Sequence, residues 1–264
     1  MEATEEELAW AARLKEAAKA DPTIDTDPIS DFEYLQHGIV AKDCTAAGLK
    51  RLRRLRALKD KYGIPRDGSY EQAIRDLHAF QAAHPGALLA VTTLPDDSSS
   101  FIAFSTGKFY TRNMKTPESL AITMRGFFYI LQACITSVED MRGGLTSVID
   151  NDGVGWKNFH LRVEEQVTDL FAKLYPVRIN RMVFVNAGWI VRALFSIASL
   201  FMSKKVADKH IFAPDRDEWL LGQPKLTKVT LPKEWGGLVD FNDLQEALKE
   251  KLQRRYERAA EFKL

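Results

Sequence analysis

At His84-Pro85-Gly86 the hydrophobic period of the chain changes, and the change leaves few architectures open. Upstream, apolar residues recur every three or four positions, as in Leu49, Leu52, Leu55 and Leu58, the spacing of one helix face. Downstream, short apolar runs such as Leu145-Thr-Ser-Val-Ile-Asp150 and Arg181-Met-Val-Phe-Val-Asn186 alternate with longer helical stretches. Such alternation needs crossover connections, which give a largely parallel sheet with helices on its faces. The expected fold class is therefore α/β, a mostly parallel sheet preceded by an N-terminal helical subdomain. The expected division is a helical part over 1–85, an α/β domain over 86–240 and a charged C-terminal helix over 241–264.

Local signals place the elements. Thr4 with Glu7 three positions on is a capping box and opens a helix over 4–20. Two prolines and three aspartates between Asp21 and Pro28 stop it. Helices follow over 30–40, 45–62 and, capped by Ser69, 69–83. Runs over 87–93 and 101–105 flank Pro95-Asp-Asp-Ser-Ser-Ser100 and read as two strands joined by a turn. Pro117 suits the first turn of a helix reaching about residue 139. Further helices are expected over 156–174, 188–201 and 215–221, and short strands over 209–212 and 225–230.

With 37 basic and 36 acidic side chains the net charge is +1, so the chain is not a general nucleic-acid binder and a basic role needs a local patch. The 45–62 helix carries one: Lys50, Arg51, Arg53, Arg54, Arg56, Lys59 and Lys61. It is either a solvated face or a docking surface for an anionic partner. Cys44 and Cys134 show no CxxC spacing and read as two buried thiols in a reducing compartment. The N-terminus lacks a basic start and an apolar run, and no stretch reaches the ~18 apolar residues of a membrane span. The expected localisation is cytoplasmic, with transient membrane association.

Catalytic signatures are missing. There is no Gly-x-Ser-x-Gly elbow, no His-Glu-x-x-His and no phosphate-cradling glycine loop between strand and helix. The histidines His37, His78, His84, His160 and His210 are scattered, and no metal site is expected. Asp150-Asn-Asp-Gly153 lacks the other ligand positions of a calcium loop and reads as a turn. No catalytic residue is assigned and the chain is not read as an enzyme.

One segment is unusual. From Ala187 to Met202 apolar residues cover nearly every helix face, and Lys204, Lys205 and Lys209 follow. Such a helix is either buried on all sides or faces something other than water. Periodicity alone leaves both a central core helix and a membrane-touching lid open; in the second case the lysines meet anionic headgroups at about 1 kcal/mol each.

Five pieces in fixed order resemble the CRAL-TRIO lipid-binding family. They are Gly144-Leu-Thr-Ser-Val-Ile-Asp150-Asn-Asp-Gly153, Leu174-Tyr175-Pro176-Val-Arg178, Val183-Phe-Val-Asn186-Ala187, Leu200-Phe-Met-Ser-Lys204-Lys205 and Leu231-Pro-Lys-Glu-Trp-Gly236-Gly237. The resemblance implies that the sheet floors a hydrophobic pocket and that the apolar helix is its movable gate. Strand alternation then directs Leu145, Ser147, Ile149, Met182 and Phe184 toward the pocket, with Trp189, Leu194, Ile197 and Phe201 closing over a ligand. Lys204, Lys205 and Lys209 become the membrane or phosphoinositide contact. No cofactor is implied beyond a bound lipophile, of the tocopherol, retinoid, carotenoid or sterol type. The family's phosphatidylinositol binders carry an acidic residue after Tyr-Pro, where this chain has Val177, while Lys209 matches their downstream lysine. Half of that headgroup site is thus missing. Phospholipid exchange and a membrane-recruited scaffold are the alternative readings. Gly188 stands where the family has proline, so a freer hinge is expected.

Overall fold

The computed structural model describes residues 2–27, 29–66, 68–93, 100–109, 114–155, 158, 161–199, 204–223 and 226–264; at residues 93, 161, 162, 164, 168, 172, 173, 194, 197, 198, 205 and 206 the description is of the backbone alone. The chain opens with α1 (Glu5–Lys19), α2 (Asp31–Ala41), α3 (Thr45–Tyr62) and α4 (Tyr70–Ala83). Thr4 and Ser30 close capping boxes with Glu7 and Glu33, and Ser69 accepts from the Gln72 amide. Each cap satisfies amides that the first helical turn leaves free.

After the period change come β1 (Leu88–Thr93), β2 (Ser100–Ser105), α5 (Pro117–Cys134), α6 (Val138–Gly143) and β3 (Leu145–Asp150). The single helix expected to reach residue 139 is broken at Ile135. There the backbone leaves the helical region, and Ser137 caps the new helix α6. Helix α7 (Leu161–Asp169) runs into a π-helical turn, Leu170–Leu174, and β4 (Ile179–Val185), α8 (Trp189–Ser199), α9 (Lys204–Ala207), β5 (His210–Ala213), α10 (Arg216–Leu221) and α11 (Phe241–Glu261) complete the chain. Of the strand expected over 225–230, residue 225 lies outside the described residues and 226–230 form no strand. Residues 228–230 are a turn, and among the described residues the pairing nearby is an isolated bridge between Pro232 and Val239.

Among the described residues the strands form one sheet in the order β1-β2-β3-β4-β5. β1 and β2 are antiparallel, and every later pair is parallel. The hairpin and the crossovers thus follow the sequence pattern. One apolar core runs from α2, α3, α4 and α11 through α5 to one sheet face, with Leu35, Phe80, Ile102, Phe128, Leu145 and Leu248 all buried. A second core covers the opposite face, where Phe101, Val148, Val183, Val185 and Ala213 meet Leu231 and Trp235.

The basic helix α3 keeps Leu52, Leu55 and Leu58 inside. Much of its charge is taken up within the molecule: Arg53 pairs with Asp21, Arg56 with Asp25 and Lys59 with Glu33. Both cysteines are free, but only Cys134 is buried. Cys44 is exposed, because it occupies the turn before α3 rather than an inward helix position.

Candidate functional site

Strand register sorts the sheet into two unlike faces. Ile102 lies beside Ser147 and Phe104 beside Ile149; Ser147 pairs with Met182 and Ile149 with Phe184; Met182 pairs with His210 and Phe184 with Phe212. These residues share one face, because side chains alternate along each strand. The opposite positions Ala103, Val148, Val183 and Val185 are all at or below 4% exposure. On the first face Ile149, Met182, Phe184, His210 and Phe212 are only half-buried. Central strands of a parallel sheet are normally covered on both faces, and this face keeps accessible apolar surface.

Two aromatic groups flank that face. At one end Phe104 meets Phe127 at 5.3 Å and Phe171 at 6.4 Å between ring centroids. Phe109 stacks on Phe127 at 5.6 Å. Phe171 sits in the π-helical turn, an element found mostly as single turns within α-helices and frequently at functional sites. At the other end Phe184 stacks on Phe212 at 5.0 Å, and Phe195 of α8 meets Phe212 at 4.8 Å, His210 at 4.9 Å and Phe184 at 6.0 Å. Helix α8 therefore lies across β4 and β5 on this face. Edge and offset ring contacts of this kind add to simple area burial.

The residues expected to line a pocket divide as follows. Ser147, Ile149, Met182 and Phe184 come together on the half-buried face. Leu145 lies on the same face but is fully buried in the core under the helices. Trp189 opens α8 and is 71% exposed, so its ring stands largely in solvent. Leu194 and Ile197 are on α8, with side chains outside the description, and Phe201 lies outside the described residues. Ser147 is 2% exposed. Sequence reasoning missed Ile102, Phe104, Phe171, Phe195, His210 and Phe212. Strand alternation carried one strand further in each direction would have found all but Phe171 and Phe195.

The recurring motifs are structural. The Asp150 carboxylate accepts from the Asp152 amide at 3.0 Å, from Asn186 Nδ2 at 3.0 Å and from Trp235 Nε1 at 3.1 Å. Arg216 stands 3.6 Å away. It ties the ends of β3 and β4 to α10 and to the closing Trp-Gly-Gly segment. Gly237 is required there, since a Cβ would fall 2.0 Å from the Leu231 carbonyl oxygen. Gly144, at φ +79°, approaches the Arg178 carbonyl in the same way. The Tyr175-Pro176 turn is held from the helical side. Gln36 Nε2 donates to the Pro176 carbonyl at 2.8 Å, and Arg255 donates to Gln36 Oε1 at 2.8 Å. Val177, where a headgroup site would need a carboxylate, is buried in the apolar core.

The lysines after α8 are unequal. Lys204 is exposed and pairs with Asp208 at 2.8 Å. The Lys209 ammonium donates to the Ile179 carbonyl. The Lys205 side chain is outside the description. Among the described residues no group of three or more His, Cys, Asp or Glu could hold a metal, and no helix is long and apolar enough to cross a membrane.

Residues 97–237 match the CRAL/TRIO domain. The chain is 22% identical to human tyrosine-protein phosphatase non-receptor type 9 over 238 residues, 90% of this chain and 38% of that protein. It is 25% identical to rat Clavesin-2 over 152 residues, 54% of this chain and 44% of that one, and 22% identical to Patellin-6 of Arabidopsis thaliana over 149 residues, 56% and 36%. The chain thus spans less than half the length of each of these relatives. The crystal structure of Sfh5 matches 98% of this chain and all of its own with a TM-score of 0.58 at 13% identity, a likeness of fold. With the matched segment covering more than half of its length, and with the strand ends, Tyr-Pro turn and Trp-Gly-Gly closure placed as described, the chain belongs to the CRAL/TRIO family of lipid-binding domains.

Proposed function

We propose that the chain holds one neutral lipophile between the half-buried sheet face and α8 and exchanges it at membranes, without catalysing a reaction on it. The observation that carries this reading is the make-up of the face: Ile102, Phe104, Ile149, Met182, Phe184 and Phe212, with Ser147 and His210 as its polar groups. An internal charge is costly without a partner, and no charged side chain points from these register positions. A hydrophobe with a single hydroxyl or carbonyl suits such a face. Tocopherols, retinoids, carotenoids and sterols share that chemistry. Burying ~300 Å² of apolar ligand surface is worth on the order of 7 kcal/mol before the costs of association, so release needs an apolar destination. Helix α8 is the gate in this reading, and exposed Trp189 with Lys204 and Lys205 forms the side that meets an anionic membrane. Buried Val177 supports a cargo other than phosphatidylinositol. The second reading, a membrane-recruiting module, is favoured by the relatives' greater length. Organic extraction of the purified protein with mass spectrometry, after an absorption spectrum, tests both. A stoichiometric isoprenoid supports the carrier and a phospholipid the exchanger. No lipid, together with no uptake from vesicles, would leave the recruiting module.

A further inference from the structure

On the helical side, away from the sheet face, a cavity of about 140 Å³ lies between α2, α3, α5 and α11. Its wall includes Glu33, Lys59, Tyr129, Arg255 and Tyr256, and Ser30 and Arg66 lie at its more exposed side. This volume accommodates several waters or one four-oxygen anion.

The charges in the wall do not balance. Lys59 is 6% exposed and Arg255 4%. Glu33 is the acidic group of the wall, and its carboxylate stands 3.6 Å from the Lys59 ammonium, beyond hydrogen-bond distance. Arg255 donates to neutral acceptors, the Ile135 carbonyl and Gln36 Oε1. Arg66 is already matched by Asp25 and Asp60. Among the described wall residues two buried cations thus face one carboxylate, and a buried charge is costly without a counter-ion. Asp67 lies outside the described residues.

A second observation points the same way. Tyr129 is 1% exposed, and among the described residues its hydroxyl has no hydrogen-bond partner. The Tyr129 and Tyr256 hydroxyls both come within 3.7 Å of the Cβ position of Gly68, another wall residue; Tyr256 already donates to Gln132 Oε1 at 3.3 Å, which leaves the Tyr129 O–H as the unspent donor of this wall. The surroundings carry a positive field as well. Buried His37 is held well below the ordinary imidazole range by desolvation first, then by Arg51, Lys59 and Arg255.

We propose that this cavity binds a phosphate-class oxyanion, held by the Lys59 ammonium and the Tyr129 hydroxyl, with Arg255 supplying buried counter-charge. Lysine serves as a point-charge phosphate binder, and a hydroxyl donor to an anion makes one of the stronger hydrogen bonds. The site stands independently of the sheet face and of any lipid held there.

The test is calorimetric titration of the full chain with sodium phosphate against sodium chloride at equal ionic strength, with melting curves alongside. Saturable one-to-one heat and a rise in melting temperature with phosphate are expected. Tyr129→Phe removes one oxygen that has no partner, keeps the fold, and is expected to weaken phosphate about fivefold or more. The paired change Lys59→Met with Glu33→Gln leaves no lone buried carboxylate and is expected to abolish the heat. Flotation with phosphatidylcholine vesicles, with and without phosphatidic acid, separates the sources. Phosphatidic-acid-dependent binding that inorganic phosphate competes away assigns a lipid headgroup; phosphate binding without it assigns the free anion. Absence of saturable heat in the wild-type chain overturns the proposal, as does unchanged affinity in Tyr129→Phe together with the paired variant.

Discussion

Asp150 shows how much a single side chain organises here. Its carboxylate serves three N–H donors from three parts of the chain, with a guanidinium at 3.6 Å. Asp150→Ala leaves the Trp235 indole N–H and the Asn186 amide without this acceptor, while Arg216 keeps Asp217. It is expected to lower the unfolding free energy by about 3 kcal/mol, read from urea melts; Asp150→Asn, which keeps a carbonyl acceptor, should cost less. Ile149 presents the opposite case. It is half-buried on the open face, so Ile149→Trp should fill space rather than overpack. The expected outcome is loss of extractable lipid with a change in stability under about 1.5 kcal/mol. A collapse of the fold instead would mean that this face is already filled.

At the scale of elements, α8 and the short α9 carry the exchange hypothesis. Lys204→Glu with Lys205→Glu should leave lipid content unchanged and slow transfer between anionic vesicles at low salt, with little effect on neutral ones. Lys209 is left out of that variant because its ammonium donates to the Ile179 carbonyl, so its loss would disturb the β4–β5 edge. Helices α4 and α5 carry a pH effect. His84 sits at the end of α4 against Phe80 and Phe109, 2.8 Å from the Thr123 hydroxyl of α5. Burial pushes its pKa down to about 4. Between pH 6.5 and 4 the unfolded chain then holds a proton that the folded chain does not. Stability is expected to be flat above pH 6.5 from this group and to fall by about 1 kcal/mol per unit below it. Urea midpoints at pH 7 and pH 5 check this, and His84→Asn should flatten part of the slope, with buried His37 providing the rest.

For the molecule as a whole, the largest core passes from the N-terminal helices through α5 and α11 onto the sheet without interruption. Leu248 on α11 is 1% exposed within it. Leu248→Ala should cost about 3 kcal/mol and shift the far-ultraviolet and tryptophan transitions together. Separate transitions would mean that the helical part and the sheet unfold independently. The Arg255–Gln36–Pro176 chain of hydrogen bonds points to a joint unit as well, since it crosses from α11 to α2 to the turn before β4.

Local chemistry was legible in the linear sequence. Capping residues, prolines and the change of hydrophobic period located nearly all the helices and strands, because those signals act within a turn or a strand. The sheet residues Ser147, Ile149, Met182 and Phe184 were legible for the same reason: alternation has a period of two and needs no partner. Where competing forces are non-local the reading failed. The run over 225–230 has strand-like composition but finds no strand to pair with, and the break at Ile135 follows from a new cap at Ser137. Burial of Cys134 beside exposed Cys44, the outward ring of Trp189, the wall residues Phe171 and Phe195, and the charged cavity around Lys59 were decided by tertiary structure alone. Each depends on which surfaces of different elements meet, and neither spacing nor propensity within one element encodes that.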